Sequence, residues 1–117
     1  MSQTPVFYTY ILTNWNRTVL YTGMTNNLAS RLVEHWTGRG WFTSRYKVFY
    51  LVWYESTKYV LNAIEAEKII KSYTRKQKEV LIRDFNSEWR FLNHEVLGNW
   101  PPTAEQIAAV MHCRGDD

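Results

Sequence analysis

The mostly apolar run "VFYTYILT" (6–13) is rich in β-branched and aromatic residues, which predicts a strand. "NWNR" (14–17) is a polar turn, and "TVLYTG" (18–23) is a second strand that stops at a glycine. A gap this short makes the pair a β-hairpin. Asn26 or Asn27 supplies an N-cap, and a helix follows over about 27–37, ending near Gly38 and Gly40. "GRGWFTSRY" (38–46) reads as a loop. "KVFYLVWYES" (47–56) is a third strand, apolar enough for burial on both faces, which a central place in the sheet would explain. "YVLNAIEAEKIIKSY" (59–73) reads as a second helix. Thr74 followed by Gln77 is a capping-box opening for a third, 75–84. Residues 86–102 look irregular, with Trp89, Phe91 and Leu92 as docking residues, and a last helix is expected over 103–111 behind a double proline. The order is ββαβαα plus a tail. It predicts an α+β (mixed α/β) fold: a small three-stranded antiparallel or mixed sheet flanked by helices, with a domain over 1–92 and a tail over 93–117.

Set on this frame, a few polar residues fall where the pattern expects apolar ones. Val60, Ala63, Ile64 and Ile70 define the inward stripe of the helix at 59–73, and Glu67 sits in the middle of it. A buried carboxylate needs a partner. That partner is either a nearby Arg or Lys, or a hard divalent cation such as Mg²⁺, which takes oxygen ligands and often needs only one or two carboxylates. In the helix at 27–37, Leu28 and Leu32 mark the apolar side, and Arg31 and His35 lie on its border one turn apart. Either both reach toward an anion such as a phosphate, or Arg31 is a surface residue and His35 is partly buried on a backbone partner. On the strands, Tyr8 and Tyr10 share one face, and so do Tyr21 and Gly23, where the missing side chain leaves room for another group.

The chain has 117 residues, 45% of them hydrophobic and 16% aromatic, enough for one domain with its own core. No apolar run approaches a membrane span, and no signal-peptide pattern opens the chain, so a cytoplasmic protein is expected. The lone Cys113 forms no internal disulfide, and no Cys/His spacing suggests zinc. Residues 1–85 carry twelve Lys and Arg against six Asp and Glu, while residues 86–117 carry two against five. The basic part coincides with the patterned part. An anionic partner such as nucleic acid fits there, as does an ordinary, slightly basic surface.

Taken together, "YTY" (Tyr8–Tyr10), "YTG" (Tyr21–Gly23), Arg31 and His35 in "RLVEH", and Glu67 in "AIEAEKIIK" resemble the GIY-YIG nuclease family. The likeness spans about residues 6–90 and is strongest to small stand-alone members related to the nuclease domain of the bacterial excision-repair excinuclease. The first motif lacks its glycine and isoleucine, and threonine replaces isoleucine in the second. Asn86, in "NSEW", is the candidate for the family's downstream asparagine.

The resemblance implies a divalent-metal-dependent endonuclease acting on DNA, in repair or processing, with Mg²⁺ or Mn²⁺ on Glu67. It also implies that Arg31 holds the scissile phosphate, Tyr21 is the general base, Tyr10 positions the water or bonds the phosphate, and His35 assists proton transfer or binds phosphate. Arg39, Arg45, Lys47 and Trp41 of the 38–46 loop are candidate DNA contacts; the alternative is that the loop's aromatics tuck into the core. Two other readings stand beside the enzyme: a non-catalytic nucleic-acid-binding module on the same fold, or a protein-interaction module using Trp89, Phe91 and Trp100. The oligomeric state, monomer or weak dimer, is not encoded in these patterns.

Overall fold

A computed structural model describes the backbone of residues 5–38 and 41–115, and the side chains of these apart from residues 41–43 and 112–115. The elements are β1 (Phe7–Thr13), β2 (Leu20–Thr25), α1 (Leu28–Trp36), α2 (Trp41–Tyr46), β3 (Tyr50–Thr57), α3 (Val60–Ser72), α4 (Arg75–Phe85), α5 (Asn93–Leu97) and α6 (Ala104–Gly115). The hairpin, the cap and the capping box form as the pattern predicts. Asn27 accepts the Ser30 N–H at 3.1 Å. Thr74 and Gln77 bond each other's backbone N–H, at 2.8 and 3.2 Å. Gly38 takes the left-handed conformation just past α1, where a side chain would strain the turn.

The sheet is antiparallel throughout, in the order β2-β1-β3. The central strand is therefore β1 and not the third strand. Helices cover both faces of this sheet, so β1 buries side chains on each. Tyr10 and Leu12 join Leu28, Leu32, Val48, Leu51 and Leu92 on the α1 side. Ile11 joins Val52, Trp53, Ile70 and Ile82 on the other, beneath α3 and α4. Thr9, on that second face, donates its hydroxyl to Ala63 O at 3.3 Å.

An edge strand as apolar as β3 needs its open rim closed, and two asparagines close it. Asn93 accepts the Leu51 N–H and donates to Phe49 O, both at 2.8 Å. Asn86 donates to Val52 O at 3.1 Å, and the Leu92 N–H reaches Leu51 O at 2.7 Å. The β1–β3 pairing slips between Ile11–Trp53 and Leu12–Leu51, which skips Val52 and leaves its carbonyl for Asn86. This clasp explains why the strand reads as buried on all sides while lying at the edge.

Two further elements depart from the pattern. Residues 41–46, expected as loop, form the short helix α2, and α5 stands within the stretch expected to be irregular. Helices of five and six residues are too short to show an apolar period. The segment past residue 92 is tied into the same body: Asn93 holds β3, and Val110 of α6 is buried, lining with Val33 of α1 a cavity between the two helices. Among the described residues no helix is long and apolar enough to cross a membrane.

Candidate active site

The hairpin register sets Tyr10 directly opposite Gly23. A Cβ on Gly23 would lie 2.5 Å from both Cζ and Oη of Tyr10. The glycine is what lets the phenol ring lie across the neighbouring strand. Tyr21, two residues earlier, shares that face. The α1 helix packs over it through Leu28 and Leu32, and this orientation brings Arg31 and His35 toward the tyrosines. His35 is only 5% exposed. Its Nε2 lies 3.0 Å from Tyr10 Oη, and both tyrosine rings meet the imidazole at steep angles, with centroids 5.9 Å (Tyr10) and 5.6 Å (Tyr21) away.

Burial controls the charge states here. It lowers the His35 pKa to about 4, and the Arg31 guanidinium pushes in the same direction, so the imidazole is neutral near pH 7. Burial also raises Tyr10 above the usual tyrosine range; Arg31 opposes the rise by its charge and by a hydrogen bond, while Tyr21 and Glu67 add to it. Arg31, Tyr21 and Glu67 therefore all lie within electrostatic reach of the Tyr10 phenol, although they come from α1, β2 and α3.

Arg31 is half-exposed and also pairs through Nε with Glu34 Oε1 at 2.9 Å. Its i, i+3 spacing is the signal in the sequence for this partner, one that a search for polar residues on apolar stripes does not bring out. Glu67 has a side chain 24% exposed and pairs with Lys71 at 3.2 Å, the lysine partner that the buried-stripe argument allows for. A partly exposed pair of this kind contributes little stability. Among the described residues no three His, Cys, Asp or Glu side chains gather into a metal cage. A single accessible carboxylate still fits Mg²⁺, which keeps several waters and is commonly completed by substrate phosphate oxygens. Glu67 is the residue that would hold such an ion.

The other expected site residues are placed differently. Tyr10 is fully buried, with its Oη 3.0 Å from His35 Nε2. His35, buried and neutral, is no cationic phosphate ligand. Asn86 caps α4, with its amide nitrogen on Val52 O and Arg90 O and its oxygen on the Arg90 N–H. It is spent on the β3 clasp and contributes nothing to the tyrosine cluster. Arg45 and Lys47 are exposed, as DNA contacts must be. Arg39 lies outside the described residues, and so does the side chain of Trp41. Lys47 shares a cavity of about 360 Å³ with His35, Trp36, Ser44 and Phe49.

Comparison with known proteins shows the family. The GIY-YIG catalytic domain matches residues 6–80. A UPF0213 protein of Pectobacterium carotovorum subsp. carotovorum is 38% identical over 84 residues, covering 68% of this chain and 81% of the relative. UPF0213 proteins of Vibrio parahaemolyticus (35% identical; 62% of this chain, 69% of the relative) and Pediococcus acidilactici (37%; 62% and 76%) are similar as well. No solved structure matches the chain.

Proposed function

Since the chain belongs to the GIY-YIG family, a nuclease family, we propose that it is a divalent-metal-dependent endonuclease that hydrolyses DNA phosphodiester bonds. The observation that supports this reading is the packing of His35 against both Tyr10 and Tyr21, with Arg31 one turn away in α1 and Glu67 of α3 within electrostatic reach of the Tyr10 phenol. In the reaction, water adds to phosphorus, the bond to one bridging oxygen breaks, and the water's proton must leave. Tyr21, half-buried where Tyr10 is sealed, takes that proton in its phenolate form, and the displaced bridging oxygen is protonated by solvent. Arg31 binds a non-bridging phosphate oxygen and offsets the charge that builds in the transition state. A divalent cation on Glu67, when bound, supplies Lewis-acid stabilisation of that same charge. Tyr10 and His35 are positioning residues: the neutral imidazole and the protonated phenol fix where the Arg31 guanidinium sits. Arg45 and Lys47 contact the DNA backbone outside the site.

The test is nicking of supercoiled plasmid in Mg²⁺ or Mn²⁺ by wild type and Tyr21→Phe, with folding of each checked by circular dichroism. Metal-dependent nicking that Tyr21→Phe abolishes supports the assignment. Undiminished nicking by the variant removes Tyr21 from it. Salt-sensitive DNA binding with no nicking in either metal replaces the hydrolase with a binding module.

A further inference from the structure

A run of aromatic rings crosses the molecule at the end of the sheet where the hairpin turns. Trp15, in the turn, meets Tyr50 at 5.8 Å between centroids; Tyr50 meets Phe49 at 4.9 Å, and Phe49 meets Trp36 at 5.0 Å. Phe91 stacks on Tyr50 at 4.2 Å with 19° between planes, and the Arg17 guanidinium lies 4.2 Å over Phe91. The inner rings are half-buried, but Trp15 is 70% exposed and Trp36 is 37% exposed. Packing alone does not account for Trp15, because a ring left mostly in water returns little of the stabilisation that burial gives.

The turn that carries Trp15 is also held in place. Asn14 Oδ1 accepts the N–H groups of Thr18 and Val19 at 2.8 and 3.0 Å. From α4, Arg75 donates to the carbonyls of Thr18 and Arg17 at 2.8 and 2.9 Å. The exposed indole therefore stands on a fixed support. At its other end the run reaches the candidate active site: Trp36 follows His35 in α1, and both line the cavity that holds Lys47 and Phe49. Exposed Lys47 lines that cavity beside Phe49 and Trp36, and Arg17, exposed over Phe91, donates its Nε to Trp89 O and one terminal nitrogen to Trp15 O. Aromatic faces interleaved with cations are the chemistry that binds single-stranded nucleic acid, bases on the rings and phosphates on the cations.

We propose that this run is a stacking track for unpaired bases, and that the substrate is DNA with a single-stranded segment beside the bond to be cut. Calling the ligand a substrate rests on the hydrolase reading; the binding itself does not. Affinities for a labelled oligothymidylate and for a labelled duplex of equal nucleotide length are measured by fluorescence polarisation at one salt concentration, in EDTA so that nothing is cut. The full-length wild type is expected to prefer the oligothymidylate. Trp15→Ala is expected to reduce that preference about fivefold or more, and Trp15→Phe, which keeps a ring, to retain most of it. The exposure of Trp15 leaves folding intact, and circular dichroism checks it. No preference in the wild type, an unchanged ratio in Trp15→Ala, or an equal loss for both DNAs overturns the track. Plasmid nicking with an unchanged ratio overturns the track and leaves the hydrolase. A falling ratio without nicking in Mg²⁺ or Mn²⁺ keeps the track and overturns the hydrolase.

Discussion

At Gly23 one methyl group decides whether Tyr10 fits. The ring is fully buried and has nowhere to retreat from a Cβ at 2.5 Å. Gly23→Ala is expected to cost about 1–3 kcal/mol in urea unfolding, the usual range for overpacking. The His35 pKa should rise from about 4 toward 6.5 as the pocket opens, which an NMR titration of the imidazole reads. The same depressed pKa makes stability depend on pH. The unfolded chain binds a proton near pH 6.5 and the folded chain only near 4, so stability is full above 6.5 and declines as pH falls toward 4. Between pH 7.5 and 5.5 the expected loss from this group is roughly 1 kcal/mol. It should disappear in His35→Asn, which paired denaturation curves of wild type and variant at the two pH values read. The pattern singles out Glu67 on one apolar stripe and Arg31 and His35 at the border of another, and the tyrosines join them through the family resemblance. The charge states are not legible there, because they depend on how completely α1 seals the ring of Tyr10 against water.

The elements that the pattern places correctly are those with local causes. Caps at Asn27 and Thr74 bound α1 and α4 at their starts, and a positive-φ glycine ends α1. The strand order is not legible in this way. β3 looks central because it is apolar on all sides, yet its outer rim is covered by Asn86, Leu92 and Asn93 rather than by a strand. Nothing local tells an asparagine that replaces a strand's hydrogen bonds from one in a turn; Asn86, a site candidate by the family resemblance, belongs to this clasp. Asn93→Ala leaves the Leu51 N–H and the Phe49 carbonyl without their partners. The expected destabilisation is about 2–4 kcal/mol, with faster hydrogen exchange at the Leu51 amide. Stability unchanged in that variant would mean the clasp is incidental.

Across the whole molecule, the sheet divides the work. One face, with α1, carries Tyr10, Tyr21, Arg31 and His35; α3, from the other side, adds Glu67; the hairpin end presents the aromatic run. The family match over residues 6–80 covers the strands and helices that carry these side chains. The basic charge of residues 1–85 is partly structural. Arg75 holds the hairpin turn and Glu79, and Lys71 holds Glu67, so fewer cations are left for an anionic partner than the count implies. The proposed hydrolase depends on a divalent cation held by Glu67, a dependence read by the single-turnover rate of plasmid nicking in Mg²⁺ for wild type and Glu67→Gln. The account predicts a loss of at least about a hundredfold in the variant, with EDTA abolishing the wild-type activity. Equal rates in the two proteins, or nicking that survives EDTA, would contradict it.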